Sequence, residues 1–134
     1  MEKQNYFTVD EANQQIPWLR VRLREIISLG KNIKRLRLQL DNILRVGSSN
    51  GHTDIDQDVS NHRKEIGGAM ERLRNLVLDI NTSGMILKDI EMGLVDFPTI
   101  REDREVYLCW HLGEASTQFW HETDVGFSGR QPLV

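Results

Sequence analysis

Two long runs of apolar residues, each repeating alternately at three and four positions, constrain the fold of this chain more than any other feature. The first stripe consists of Ile16, Leu19, Leu23, Ile26, Gly30, Ile33, Arg37, Leu40 and Leu44, and Gly30 and Arg37 weaken it. The second extends from Ile55 to Ile80. This alternation is typical of helices that pack along one stripe. Residues 47–54 are rich in glycine, serine and asparagine and interrupt the pattern. The pattern predicts an antiparallel helical hairpin, with arms of about 40 Å at roughly 1.5 Å per residue.

The first helix has a recognisable start. Thr8 and Glu11 have the spacing of a capping box, in which Thr8 is the N-cap and Glu11 reaches back to it. Pro17 lies further along the same helix, where its ring would clash with the carbonyl of Asn13. We therefore expect a kink or a break near Pro17.

The second helix also carries boundary signals. Thr53 or Asp54 is a suitable N-cap, and we expect the helix to end near Asn81. His62 lies on the apolar stripe, where a polar residue more often sets the register between two helices than binds a ligand. The pair Gly67-Gly68 weakens the helix by about 1 kcal/mol per glycine relative to alanine.

After Gly84 the apolar residues alternate, which indicates strands. Glu91-Met92-Gly93 predicts a three-residue hairpin loop with glycine in the left-handed conformation. Arg101-Glu-Asp-Arg104 predicts the next loop. The two loops place Ile90 opposite Leu94, Lys88 opposite Asp96, Leu87 opposite Phe97, Thr99 opposite Val106, Phe97 opposite Leu108, Val95 opposite Trp110 and Asp96 opposite Cys109.

This register divides the side chains between two faces of the sheet. The face predicted to pack on the helices carries Leu87, Val95, Phe97, Val106, Leu108 and Trp110. The other face carries Lys88, Asp96, Tyr107, Cys109 and His111. A fourth strand is predicted over Gln118–Glu122, but its register is open, so His121 can belong to either face.

The predicted fold is α+β, in a single domain over residues 1–134. A long antiparallel helical hairpin, coiled-coil-like, occupies residues 8–81, and a small antiparallel β-meander with a C-terminal tail occupies residues 85–134. The hairpin is longer than one small sheet can cover. We therefore expect a homodimer that completes the core.

Charge and composition exclude several classes of protein. The net charge of −3 gives no overall bias toward nucleic acid or membrane. Residues 17–46 hold eight Lys/Arg against two Asp/Glu, whereas residues 86–124 hold three against nine, which predicts one basic and one acidic surface. A single cysteine excludes an internal disulfide and a cysteine-based structural zinc site. Without a membrane span or a secretory signal, the expected location is the cytoplasm.

The C-terminal half contains a candidate metal site. His121 and Glu114, with Asp96 or His111 as a third ligand, form a nitrogen–oxygen set suited to zinc, iron or manganese. The alternative is structural: Glu114 caps a turn, Asp96 pairs with Lys88, and His121 bonds to a backbone carbonyl.

Other candidates have simpler structural explanations. Asp96 beside Cys109 would raise the pKa of the thiol and oppose its use as a nucleophile. The aromatic residues Trp110, Phe119 and Trp120 could line a ligand pocket, but packing of a small sheet also accounts for them. The basic residues of the first helix could contact phosphates, yet a solvated face or a surface for an acidic sheet is the commoner role. We therefore do not expect nucleic-acid binding.

Five short motifs carry a family resemblance. They are Phe7-Thr-x-x-Glu11-Ala-Asn13, Gly93-Leu-Val-Asp-Phe-Pro98, Cys109-Trp-x-Leu-Gly-Glu114, Trp120-His121 and Gly126-Phe-x-Gly-Arg130. With them the chain resembles the prokaryotic family called domain of unknown function 2203 over nearly its whole length. The resemblance implies no established activity. The motif residues it implies are Glu11, Asp96, Trp110, Glu114, Trp120 and His121, and His111 lies outside them.

Two functional interpretations follow from the residues. The first is a non-enzymatic, self-associating interaction or assembly module, with the helical arms for dimerisation and the aromatic sheet for a protein partner. The second is a small metal-binding protein, hydrolytic or metal-handling, with its site in the C-terminal β region. Elemental analysis of untagged protein separates them.

Overall fold

The computed structural model describes residues 5–50 and 55–134 and confirms the α+β prediction. In chain order the elements are α1 (Val9–Asn50), α2 (Ile55–Thr82), β1 (Ile86–Asp89), β2 (Leu94–Arg101), β3 (Arg104–His111), β4 (Phe119–Glu122), a short 3₁₀ helix (Phe127–Gly129) and β5 (Gln131–Pro132). The two helices form a hairpin, and the strands form one antiparallel sheet in the order β1-β2-β3-β4-β5.

The start of α1 confirms the predicted capping box. The backbone N–H of Thr8 donates to Glu11 Oε1 at 2.9 Å, and the N–H of Glu11 donates to Thr8 Oγ1 at 3.1 Å. Phe7 precedes this cap and packs edge-on against Phe97, while its N–H donates to the Pro98 carbonyl. The N-terminal motif therefore attaches the start of α1 to β2.

Two expectations about α1 need correction. The helix is continuous through Pro17, because Ile16 and Leu19 on either side are buried in the core and hold the turn that the proline weakens. The predicted break does not occur, and the kink stays a prediction. The helix also continues past residue 47 to Asn50 instead of stopping before it. Gly47 is buried where α1 approaches Ile55, and an added Cβ there would clash. The proposed N-caps Thr53 and Asp54 lie outside the described residues.

The β2–β3 register agrees with the prediction at every predicted pair. Asp96 faces Cys109, Phe97 faces Leu108 and Val95 faces Trp110. Glu102 and Asp103 form a two-residue turn with φ of 52° and 61°. Both φ angles are positive, as in a type I′ turn, whose backbone twist matches that of the two strands it joins.

The predicted β1–β2 register is wrong by two residues at its start. Leu87 faces Val95 and Ile86 faces Asp96, so Lys88 does not face Asp96. A bulge lies between Leu87 and Asp89, and Ile90 belongs to the turn and does not face Leu94. The Asp89 carboxylate accepts the Met92 N–H at 2.9 Å, which stabilises a turn longer than the three residues predicted. Gly93 adopts φ +65°, the left-handed conformation expected of it.

The chain has two structurally different regions. The proximal body comprises the sheet, residues 9–30 of α1 and residues 73–82 of α2. The distal arm comprises residues 31–50 and 55–72. One buried cluster joins helices and sheet in the proximal body: Ala12, Ile16, Leu19, Leu23, Ile26, Leu76, Ile80, Met85, Val95, Phe97, Val106, Leu108, Trp110 and Trp120. In the distal arm the helices pack mainly on each other, where His62 Nε2 bonds Gln39 Oε1 at 3.1 Å.

Candidate metal centre

Three polar side chains meet on the face of the sheet that points away from the helices. Asp96 lies in the middle of β2 and faces Cys109 on β3. His121 on β4 faces Tyr107, which lies two residues before Cys109 on the same side of β3. Asp96, Cys109 and His121 are only 1%, 0% and 2% exposed, respectively. His121 Nε2 lies 3.0 Å from Asp96 Oδ1, and one ligand atom from each of the three residues lies within 4.8 Å of the others.

Alternation along each strand places these groups. Asp96 stands between the buried Val95 and Phe97, and Cys109 stands between Leu108 and Trp110. Their apolar neighbours face the helices, so the polar residues must face the opposite side. Trp120 does the same for His121, because it pairs with Leu108 on the helix-facing side. The open register of β4 is thereby settled, and His121 shares a face with Tyr107 and Cys109.

The hydrogen bonds of His121 constrain its protons. Nδ1 lies 2.8 Å from the Glu122 carbonyl, which can only accept, so Nδ1 carries a hydrogen and donates. Nε2 and the Asp96 carboxyl group then share a single hydrogen between them. The free electron pair needed by a metal is thus available at Nε2 once that hydrogen leaves.

Burial controls the ionisation of the other two groups. It raises the pKa of the Asp96 carboxyl group, opposed by the hydrogen bond from His121 and by the charges of His121 and Lys88. Burial, reinforced by the negative charge of Asp96, raises the pKa of the Cys109 thiol to about 12. Cys109 is therefore a neutral thiol at physiological pH, which disfavours a nucleophilic role. A divalent cation between these groups would reverse this balance by stabilising the thiolate and the carboxylate together.

A second polar cluster lies beside the first. Arg130 Nη1 contacts both carboxylate oxygens of Glu114 at 3.0 and 3.1 Å. Its guanidinium group also lies 4.0 Å from the ring centre of Phe119 and 4.2 Å from that of Phe127. A hydrogen bond and the charge of Arg130 partly oppose the rise in the pKa of Cys109. This C-terminal arginine therefore connects the two clusters.

The four residues predicted as ligands divide between these clusters. Asp96 and His121 come together, whereas Glu114 and His111 lie with Arg130. Glu114 Oε1 accepts the N–H of His111 at 2.9 Å, and the N–H of Glu114 donates back to the His111 carbonyl, as in a capped turn. Within the described residues, a group of three potential ligands with atoms within 4.8 Å of one another is formed by Asp96, Cys109 and His121, whereas Glu114 and His111 approach each other at 3.7 Å without a third such ligand.

Sequence reasoning missed Cys109 as a ligand candidate. The signal was present, because the predicted register already placed Cys109 opposite Asp96. The missing step was the pairing of β4, which aligns Tyr107 with His121 and so brings the imidazole to the same side. The tryptophans proposed for a pocket, Trp110 and Trp120, are instead buried on the helix-facing side.

Side chains of α1 and β3 hold the backbone of the β3–β4 connection, residues 112–118, in position. Asn13 Oδ1 on α1 accepts the Thr117 N–H at 2.7 Å, and Arg20 Nη2 donates to the Glu114 carbonyl at 3.1 Å. Trp110 Nε1 donates to the same carbonyl at 3.0 Å. The basic helix therefore reaches this part of the acidic region within one chain, through backbone carbonyls.

A comparison with known protein families matches the model of an uncharacterised conserved protein family, domain of unknown function 2203, over residues 5–133. The chain belongs to this family. The matched part of the chain includes Asp96, Cys109 and His121 of the buried cluster and both residues of the Glu114–Arg130 pair. The chain has no significant match among curated proteins or solved structures. Among the described residues, neither helix has a stretch sufficiently long and apolar to cross a membrane.

Proposed function

We propose that this chain binds one transition metal ion, with zinc preferred, through an Asp96 carboxylate oxygen, Cys109 Sγ and His121 Nε2. The observation that supports this proposal is the convergence of three buried ligand atoms within 4.8 Å of one another. The set combines oxygen, sulfur and nitrogen, all of which zinc accepts. The thiolate favours zinc or iron over manganese, which prefers oxygen ligands.

The surroundings of His121 support ligand chemistry. Histidine ligands usually donate their second ring N–H to a carbonyl or carboxylate, which orients the ring and fixes the tautomer. His121 already makes this bond from Nδ1 to the Glu122 carbonyl. Metal binding must displace the Cys109 thiol proton and the proton shared by Asp96 and His121, so we expect affinity to rise with pH.

The burial of the cluster favours a retained metal over rapid turnover. Three protein ligands leave one coordination position for water or another donor, as in catalytic zinc sites. Yet each ligand is at most 2% exposed, so a substrate would first have to displace the side chains above them. A metal-handling role therefore fits this site better than hydrolysis.

Elemental analysis of protein purified without a histidine tag tests the proposal. After equilibration with zinc and removal of the excess, we expect about one zinc per chain in the wild type. Cys109→Ser and His121→Ala should lose the metal, whereas Glu114→Gln should retain it. Circular dichroism checks that each variant keeps its helices. A wild type that holds no zinc, or Cys109→Ser with full zinc, contradicts the proposal. Loss of zinc in both Glu114→Gln and His121→Ala, with full zinc in Cys109→Ser, supports the set that contains Glu114 and His121 instead.

Self-association is a second candidate function, supported by the exposed apolar residues of the distal arm. Leu38 is 70% exposed and Leu44 is 44% exposed, although Leu44 belongs to the apolar stripe. A second copy packed along this arm would cover them and complete a helical bundle. The chain would then dimerise through its arms, leaving the sheet available for a protein partner.

Sedimentation at micromolar concentration tests the arm as the dimer interface. The double variant Leu38→Glu with Leu44→Glu should be monomeric, and the wild type a dimer. Val21→Glu is the matched control, because Val21 is a 64% exposed apolar residue of α1 outside the distal arm. A wild-type monomer of 15.6 kDa with full helicity contradicts dimerisation. Dissociation by Val21→Glu alone would place the interface on the proximal body.

A further inference from the structure

A cavity opens where the hairpin meets the β1–β2 turn. Its volume is about 520 Å³, within the range of roughly 300–1,000 Å³ that is common for small-molecule sites. Ile27 of α1, Leu73 of α2 and Ile90 of the turn provide apolar walls. The cavity lies between the helices and the edge of the sheet, separate from the Asp96 cluster.

Gly30 explains why the space is open. It occupies a position of the first apolar stripe where a leucine or isoleucine would otherwise fill the interface. An added Cβ at Gly30 would meet nothing within 4 Å, and the glycine is not among those with positive φ. Neither backbone geometry nor close helix packing therefore requires glycine here, although glycine weakens the helix by about 1 kcal/mol relative to alanine.

Charge at the mouth selects the kind of ligand. Lys31 and Lys34 line the cavity together with a single acidic residue, Glu91. Lys34 lies 3.6 Å from Glu91, whereas Lys31 makes no ion pair among the described residues. An anionic group would be attracted to Lys31, while an attached hydrocarbon would lie against the apolar walls.

We propose that this cavity binds an amphiphilic monocarboxylate of the medium-chain fatty-acid type. The carboxylate contacts Lys31 at the mouth, and the alkyl chain occupies the space beside Gly30. The amphiphile makes no use of the metal cluster, so binding is independent of the metal.

Calorimetric titration of the full chain with decanoate, below the concentration at which it forms micelles, tests the proposal. We expect saturable one-to-one binding. Gly30→Leu projects a side chain into the cavity where the alkyl chain is proposed to lie, and it should weaken binding at least about tenfold, a difference of about 1.4 kcal/mol. The same substitution should raise the melting temperature, because leucine favours the helix, so loss of binding is not loss of folding.

Matched controls separate the cavity from nonspecific surfactant binding. Gly67→Leu introduces the same side chain at an exposed helical glycine with equally open surroundings, and it should leave binding unchanged. Lys31→Glu should weaken decanoate binding, and decanol should bind less tightly than decanoate to the wild type.

Several outcomes would overturn the inference. They are the absence of saturable decanoate binding, equal binding by the wild type and Gly30→Leu, and equal binding of decanol and decanoate. If Gly30→Leu changes the sedimenting species of the free protein instead of its ligand binding, the cavity is a contact between two copies. The metal content of the wild type and Gly30→Leu should be the same, so failure of this proposal is distinguishable from failure of the metal site.

Discussion

The proximal body and the distal arm are built from the same two helices, yet they bury the same sequence pattern to different extents. In the proximal body, the stripe residues Leu19, Leu23 and Ile26 are fully buried. In the distal arm, Ile33 near the junction is still buried, but further along Leu40 is only half-buried and Leu44 is exposed. A heptad stripe thus specifies which side of a helix faces its neighbour, but the amount of apolar surface removed from water depends on what else covers it.

The regions also differ in how their polar groups are used. In the proximal body, side chains distant in sequence hold the backbone of the β3–β4 connection, as Asn13 and Arg20 do. In the distal arm, His62 and Gln39 connect the two helices, and among the described residues the polar contact with the sheet region is the exposed ion pair between Lys34 and Glu91 near the junction with the proximal body. We expect the distal arm to open locally more easily, since local stability follows the density of buried contacts.

Matched leucine truncations should give the largest difference between the regions. Leu23→Ala removes a side chain packed between helices and sheet and should lower the free energy of unfolding by about 3–5 kcal/mol. Leu36→Ala, at a distal position that is also buried, should lower it by only about 2 kcal/mol, because a pair of helices can collapse around the gap more easily. Urea denaturation measures both values. Equal losses would show that the distal arm is as well packed as the body.

Glycine replacements should change stability in opposite directions. Gly93→Ala should destabilise by about 1–2 kcal/mol or more, because Gly93 has φ +65° and an added Cβ would lie 2.8 Å from Leu112 Cβ. Gly67→Ala in the distal arm meets no such contact and should stabilise by about 1 kcal/mol through helix propensity. Thermal melts of both variants test the contrast. Destabilisation by Gly67→Ala would indicate that another chain packs closely at that position.

Two arginines of α1 test whether the β3–β4 connection depends on contacts to its backbone. Arg20→Ala removes the donor to the Glu114 carbonyl and should cost about 1–2 kcal/mol. Arg24→Ala, at an exposed neighbouring position, should change stability by less than about 0.5 kcal/mol. Denaturation at low and high salt measures both. An equal effect of the two variants would mean that overall charge, and not the Arg20 contact, matters.

The smallest expected effect concerns the ion pair between Glu25 and Arg72, close to the junction of the two regions. The hydrogen bond from Arg72 lowers the pKa of Glu25 below its usual 4.5. The pair therefore stabilises the folded chain above pH 4.5, and this contribution is lost as pH falls through the lowered value. Comparing Glu25→Gln with the wild type by denaturation, we expect a small deficit at pH 7 that disappears at strongly acidic pH. A deficit that persists in acid would identify packing as the cause.

Much of the candidate site followed from local sequence signals. The Glu102-Asp103 turn sets the β2–β3 register, and the sequence pattern around that turn was enough to place Asp96 opposite Cys109. The β1 register could not be obtained in the same way, because the bulge after Leu87 inserts an unpaired residue that no local pattern marks. Lys88 was displaced from Asp96 as a result, and His121 is the hydrogen-bonding partner of Asp96 instead.

The sequence alone determined the helical hairpin, the capping box at Thr8 and Glu11, the alternation of faces and the β2–β3 pairing. Each of these features depends on residues that are close together in the sequence. Only the tertiary structure decided which residues share the outer face at the site. The return of β4 brings His121 beside Asp96, whereas Glu114 lies beyond the end of β3 and pairs with the C-terminal Arg130. These contacts join segments 16 and 25 residues apart, and their geometry depends on strand pairing across the sheet, which no periodicity within a single strand records.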